Sequence, residues 1–434
     1  MPQEGRGYIE EDGVEAQGTD LTDRSVSLPL WKNRDFKVFL GGQGVSALGD
    51  AISFTALPLI VLLLTGSGVA LGIVGVLTTL PDLIFGLPAG ALADRWDRRR
   101  MMLYADLGRA ALTALVPLSF LLGLDTFIVI LLVTAPINLM RVLFMAAFTA
   151  AVPDLVGRDR IGQANGVIEG LFSLSFVVGP AVAGLLVGTI GPGATLAIDA
   201  ATFLFSALAL AAIHRPMKAQ RDAGAAPTRI TADIAEGVRF ILGHRTLRIA
   251  IAFWGLIGVA SAPLVPAVIF YLTIDRGQPE SVVGAVLSAY GVGWFLGAVL
   301  AARLVKRRLG LVMLLANVAT GVMLGIFAVV DSGPLEFAAA LGAGISTALV
   351  LIAYVTLRAT IPPNELLGRV GSTARTISIG AQPVGVFAGG LLLDAIGGGP
   401  TLLILSSGIA LLSVVFALSP TLRHATVGTG SWSD

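Results

Sequence analysis

Hydrophobic positions in this chain come in long unbroken runs, without the period of an amphipathic helix or the alternation of a half-buried strand. Windows of about 19 residues place such runs near 36–65, 71–93, 101–123, 127–151, 163–189 and 194–213. Six more follow near 247–273, 281–304, 309–330, 335–360, 367–396 and 401–419. Each is long enough to cross a bilayer, which takes roughly 20 apolar residues. A polar segment separates the two sets, with a surface helix expected around 229–243. The pattern predicts an all-α polytopic membrane protein with twelve transmembrane helices in two six-helix lobes. The expected order is a disordered tail at 1–32, lobes at 33–213 and 247–420, a central loop at 214–246 between them, and a second tail at 421–434.

The polar stops are not alike. Lys32, Arg34 and Lys37 precede the first run, and Arg95, Arg98, Arg99 and Arg100 follow the second. Arg158 and Arg160 follow the fourth, a basic series from Arg215 to Arg248 follows the sixth, and Arg303, Lys306, Arg307 and Arg308 follow the eighth. Arg358 and Arg369 flank the turn after the tenth, and Arg423 follows the twelfth. The stops on the other side hold a single basic residue, Arg276. Basic loops stay in the cytoplasm, so both termini are expected there, in a multi-pass protein of the cell membrane.

Composition narrows the function. Charged residues make up 13% of 434 residues and hydrophobic ones 55%, against about 25% charged in a soluble domain. A net charge of +1 gives no reason to expect a nucleic-acid partner. There is no cysteine, and His214, His244 and His424 all lie outside the apolar runs, so neither a metal site nor a cofactor is expected. A membrane-embedded enzyme would want His, Cys or paired acids at a membrane surface, and ATP drive would want a phosphate-binding Gly-rich loop. Neither pattern is found.

The two halves also resemble each other. The segment "GQANGVIEGLFSLSFVVGPAVAGLLVGTIG" from Gly162 aligns without gaps on "GRVGSTARTISIGAQPVGVFAGGLLLDAIG" from Gly368. Gly162, Gly179, Gly184, Leu185, Leu186, Ile190 and Gly191 meet identical residues 206 positions later. Near the start of each half the shift is 211, and there Gly86 meets Gly297. Repeated six-helix units joined by a polar loop suit a transporter whose halves rock about a central site.

Between the second and third runs, "GALADRWDRRRMM" packs six charges into the seven residues from Asp94 to Arg100. This turn resembles the signature of the major facilitator superfamily, Gly-x-x-x-Asp-Arg-x-Gly-Arg-Arg, met here by Gly90, Asp94, Arg95, Arg98 and Arg99, with Asp97 in place of the second Gly. The resemblance implies a conformational latch: Asp94 pairs with a helix end or an Arg in one state and lets go in the other. The second half has Val305 at the matching place, so such a latch is one-sided. "SFVVGPAVAGLL" is similar to the Gly-Pro-x-x-x-Gly motif of drug:proton antiporters, carried by Gly179, Pro180 and Gly184, a thin face for tight helix packing that the resemblance implies is a seal between lobes. Arg141 in "NLMRVLFMAAF" fits the family's third motif, although Phe144 and Met145 replace its Gln-Gly. With "VPDLVGRDRIGQANG", these features are similar to the macrolide-efflux and enterobactin-exporter subgroup.

Ionisable groups within a membrane are costly and mark function. Asp50, Asp82 and Glu169 lie inside apolar runs of the first half, while Ser261 stands opposite Asp50 and Arg375 opposite Glu169. These three acids, with Arg141 as a partner for Asp50, are the candidates for proton coupling. Asp106 and Arg109, three apart, are expected to form a local ion pair. Trp254, Tyr290 and Trp294 are candidates for the wall of a substrate cavity. The reading is a secondary efflux transporter that exchanges amphiphilic drugs or antibiotics for protons, working as a monomer in the lipid bilayer. A dedicated exporter of a siderophore, a self-made metabolite or a lysolipid is the alternative.

If Asp94 is a latch, Asp94→Asn will preserve expression yet slow export severely, while Val305→Asp will change little. Export assays in cells with matched protein levels test this, and a wild-type rate in Asp94→Asn rules the latch out.

Overall fold

The computed structural model describes residues 29–215, 217, 230–305 and 308–426. The residues before 29, Pro216 and residues 218–229 of the central loop, Lys306, Arg307 and the last eight residues lie outside it. Twelve helices in it are long and apolar enough to span a membrane. They are α1 (Arg34–Thr65), α2 (Gly68–Ala93), α3 (Arg98–Leu122), α4 (Thr126–Val156), α5 (Ile161–Ile190) and α6 (Pro192–Ala211) in the first half. A short helix α7 (Ile230–Gly243) follows. The second half holds α8 (Arg245–Asp275), α9 (Glu280–Leu304), α10 (Leu309–Val329), α11 (Gly333–Thr360), α12 (Leu366–Ile396) and α13 (Gly398–Ala417). All twelve coincide with the apolar runs to within a few residues.

Local chemistry sets the helix ends. Asn33, Ser67, Asp97 and Asp125 each accept a hydrogen bond from a first-turn amide of the helix that follows, satisfying N–H groups that have no intrahelical partner. Asp97 thereby explains the departure from the superfamily signature. It sits at φ −66°, an ordinary conformation, and begins α3 as its cap. At Gly66 and Gly123 the chain leaves α1 and α3 with φ of 63° and 64°, where a side chain would be strained.

Within the first lobe α3 packs on α4 and α6, α1 on α5 and α6, and α2 on α4. In the second lobe α11 packs on α9 and α10, and α10 on α13. Two seams join the lobes, α5 against α9 and α2 against α12, and each carries the same device. A Cβ placed on Gly184 would lie 3.0 Å from the Cα of Gly284, and one on Gly390 would lie 3.0 Å from the Cα of Gly72. Gly184 and Gly390 are the residues that the 206-residue repeat equates, so the seams are copies of one contact.

Pro180 adds to the first seam. Having no N–H, it frees the carbonyl of Phe176, which lies 2.8 Å from where a Cβ on Gly291 would stand, and the amide of Ala181 donates to Ser288 Oγ across the seam at 2.9 Å. Gly179 does something else. Its open side faces Ala51 of α1, inside the first lobe. Of the Gly-Pro-x-x-x-Gly motif, expected as a whole to seal the lobes, Pro180 and Gly184 lie at the contact between lobes; for Gly179 the expectation is corrected, since it lies on another face of α5, inside the first lobe.

The seams cover only one end of the molecule, the end away from both termini. There Asp394 of α12 caps α2: it accepts from Ser67 Oγ at 2.7 Å, from the Val69 amide at 3.0 Å, and from the Gly68 amide. Toward the opposite end, Gly86 and Gly90 on α2, Gly162, Gly166 and Gly170 on α5, and Gly368 and Gly371 on α12 have open space beside them. The lobes are together at one end and apart at the other.

Gly184→Ala is expected to push the lobes apart at the closed end, because its new methyl meets backbone of α9 that cannot yield. Gly179→Ala, which meets Ala51 within one lobe, is expected to lower the melting temperature without moving the lobes. Distances between spin labels at the outer ends of α5 and α9 check both, and an unchanged distribution in Gly184→Ala would contradict the assignment.

Candidate functional site

The first lobe buries a charged cluster where α1, α3 and α6 meet. Arg109 of α3 is 2% exposed and stacks on the Phe203 ring of α6, with its guanidinium carbon 3.8 Å from the ring centroid. Its Nη2 donates to Asp50 Oδ1 of α1, and its Nη1 lies 3.6 Å from Asp106 Oδ1, one turn away on α3. Asp106 is fully buried and neither of its oxygens has a well-formed hydrogen bond, with the Ser206 hydroxyl of α6 beside it. Asp199 of α6, 2% exposed, accepts from Ser53 Oγ and, at 3.3 Å, from Thr202 Oγ1. Gln43 Nε2 donates to Ser206 Oγ at 3.0 Å beside them. Asp50 and Asp106 thus share one guanidinium, and Asp199 lies near enough to feel its charge. Asp50 alone opens outward, with 41% of its side chain exposed.

A second pair lies between α2 and α4. Arg141 donates through Nη2 to Asp82 and through Nε to Asn138 Oδ1 at 3.2 Å. The expected pairing of Arg141 with Asp50 is therefore corrected. α4 packs on α2, which brings Asp82 to Arg141, whereas α6 brings α1 and α3 together and gives Asp50 to Arg109. The local Asp106–Arg109 pair is present at 3.6 Å, but Arg109 makes its hydrogen bond elsewhere. Glu169 stays apart from both clusters. It is exposed on the open half of α5, as Arg375 is on α12, and neither side chain is bonded among the described residues. Asp199 belongs to the cluster without having been expected there. Its place five residues into a predicted run reads as a helix-end acid, and Thr202 one turn along its own helix, with Ser53 one turn from Asp50 on α1, was the available signal.

The signature turn is organised toward the first lobe. Arg98 bonds Asp154 at 2.6 Å and the Ala150 carbonyl at 3.0 Å, and Arg99 bonds the Leu210 carbonyl at the end of α6 at 2.7 Å. Gly90 faces open space, while Asp94 and Arg95 are exposed and their side chains unbonded among the described residues.

The second lobe offers a cavity of about 210 Å³ whose lining carries no formal charge. Trp254, Ser261, Tyr290, Asn317, Thr320 and Thr347 supply its polar and aromatic wall. Trp254 is held by stacking on Tyr354, centroids 4.5 Å apart and planes 9° from parallel. Trp294 is not part of the lining. It stands beside Tyr290, centroids 6.3 Å apart, with its backbone packed on α11 at Gly344, because a residue one turn along α9 points past the cavity.

The two lobes are chemically matched. At the 211-residue shift, Asp50, Asp106 and Arg109 correspond to Ser261, Asn317 and Thr320. The positions that build the charged cluster in one lobe build a neutral cavity wall in the other. Asn317 donates to the Ile409 carbonyl at 3.1 Å and to Ser413 Oγ at 2.6 Å, so the matched site is satisfied without charge.

A family model described as Transmembrane secretion effector matches residues 27–427. Over 386 residues the chain is 32% identical to "Multidrug efflux pump Tap" of Mycolicibacterium fortuitum, covering 87% of this chain and 93% of that one. It is 26% identical over 381 residues to "Macrolide efflux protein A" of Streptococcus pyogenes, covering 85% and 91%. Among solved structures, nucleoside transporter NupG superposes with a TM-score of 0.72 at 15% identity, covering 88% of this chain and 98% of that one. A bacterial homologue of the iron transporter ferroportin gives 0.68 at 16% identity, covering 89% and 98%. At such identities the structures speak for the fold, and the family match and the 32% relative speak for descent. The chain belongs to the transmembrane secretion effector family of the major facilitator superfamily, and it is a multi-pass membrane transporter rather than an enzyme.

Proposed function

We propose that this protein exports amphiphilic small molecules, drugs or antibiotics among them, in exchange for protons, by alternating access between two rocking lobes at 33–213 and 247–420. The observation that carries the reading is the division of labour between matched positions. Ionisable groups are gathered in the first lobe around Arg109, and the neutral aromatic cavity sits in the second. A cavity with Trp254 and Tyr290 in its wall and no fixed charge suits the apolar part of an amphiphile. A carboxylate that faces a wet cleft and shares a buried guanidinium suits reversible proton binding, since its charge decides where the guanidinium goes. The efflux names of the two relatives support the substrate class.

The basic stops support a cytoplasmic position for both termini; on that reading the open end is cytoplasmic and the state is inward-facing. Substrate then enters from the cytoplasm or the inner leaflet. Asp94, unbonded here, would find its partner when that end closes, which accords with a latch that holds only the other state. Each chain contains both lobes and both sites, which supports a working monomer. Asp82 with Arg141, and Glu169, remain secondary proton candidates.

In this reading Asp50→Asn will still bind a neutral amphiphile such as chloramphenicol but will not accumulate it against a gradient in proteoliposomes. Asp50→Glu will keep part of the activity with a displaced pH optimum. Uphill export by Asp50→Asn with the wild-type dependence on the proton gradient would remove Asp50 from the mechanism.

A further inference from the structure

Arg109 is one cation among three acids. With all of them ionised, the junction of α1, α3 and α6 would hold two uncompensated negative charges in a medium that solvates charge poorly. The acids are not equivalent. Asp50 has the guanidinium hydrogen bond. Asp199 has two hydroxyl donors, Ser53 and Thr202. Asp106 has no exposure and no well-formed hydrogen bond, only the Ser206 hydroxyl beside it, and the one cation near it stands 3.6 Å away. A carboxylate so placed is either an unpaired buried anion or a carboxylic acid, and the second costs far less.

Resting on the reading of proton exchange above, we propose that Asp106 is a second proton-binding residue of the coupling site, and that Arg109 exchanges between Asp50 and Asp106 so that only one of them is ionised at a time. With Arg109 on Asp50, as in this structure, Asp106 carries the proton. When Arg109 swings to Asp106, the O–H bond of Asp106 breaks and its electron pair stays on the carboxylate. The proton passes to the Asp50 carboxylate, directly or through water, and no other bond changes. Asp106 is then a reservoir shut off from solvent, and Asp50 is the group that meets the cavity. The arrangement needs little motion, since both acids already flank the guanidinium.

The charged and titratable groups facing Asp106 are few. They are Arg109 on its own helix and Asp50 on α1, with the Ser206 hydroxyl of α6 beside it; Asp199 of α6 faces Asp50 and Arg109 instead. From α4, which packs on the other side of α3, the mid-helix charge Arg141 is turned to Asp82. The second lobe shows that an amide is compatible with such a position, since Asn317 occupies the matched place with its amide bonded.

Infrared difference spectra of the full-length protein in lipid, recorded through a pH titration, test the assignment. The wild type should show the stretch of a protonated carboxyl at pH values where it transports. Asp106→Asn should lose that band, and Asp106→Glu, which preserves the acid, should keep it at a displaced frequency. Asp50→Asn should lose it too, because Arg109, released from Asp50, pairs with Asp106 and ionises it. Asp199→Asn should retain it. A band that persists in Asp106→Asn puts the proton elsewhere, and one that persists in Asp50→Asn disproves the exchange. If Asp106→Asn fails to fold, an undisplaced band in Asp106→Glu overturns the assignment in the same way. The spectra locate the proton independently of transport. Wild-type proteoliposomes that accumulate chloramphenicol with no dependence on a proton gradient would instead defeat the antiport reading itself.

Discussion

A peptide group inside hydrocarbon has no water to bond, so each spanning segment must satisfy its own backbone. Everything else in this protein is arranged around that demand. It makes every span a helix and assigns the helix ends to short capped turns such as those at Ser67, Asp97 and Asp125. It also takes away hydrophobic attraction as a force between helices, because lipid is as apolar as leucine. Adhesion must then come from close backbone contact and from polar groups. The two seams use the first, through Gly184 on Gly284 and Gly390 on Gly72. The interior of the first lobe uses the second, through Arg109 and Arg141.

The division between these two kinds of adhesion bears on function. The α5–α9 seam has little chemistry to break, a single serine bond, and can part as a pair of rigid faces. Ion pairs inside a lobe bind its helices to one another and respond to protons. A transporter assembled this way has a soft joint between lobes and a charge-sensitive body within one of them. The neutral trio Ser261, Asn317 and Thr320 shows the same scaffold with the charge removed, and there the space becomes a cavity.

Much of this was legible in the sequence. The runs, their ends, the repeat and the confinement of mid-membrane acids to the first half all follow from local hydropathy and from one alignment. Partnership was not legible. Whether Arg141 meets Asp50 or Asp82 depends on which helices are neighbours, and hydropathy is silent about neighbours. Asp199 was hidden because depth in a span is judged from its end, while α6 and α1 differ in length, 20 residues against 32. Gly179 and Gly184 belong to one motif, yet five residues of helix rotate them onto different faces. Trp294 failed as a cavity residue for a different reason: four residues on, it shares the face of Tyr290 but stands one turn of α9 further along, past the cavity.

The cap that Asp394 places on α2 makes the two glycine seams unequal. Its repeat counterpart is Gly188, which has no carboxylate to offer the start of α9. At one seam an anion faces the positive end of a helix and takes hydroxyl and amide donors; at the other, backbone faces backbone around a single serine bond. Equal leverage on the closed end will therefore loosen the α5–α9 side first. The molecule would unfasten like a book opening from its fore-edge, with α2 and α12 as the spine.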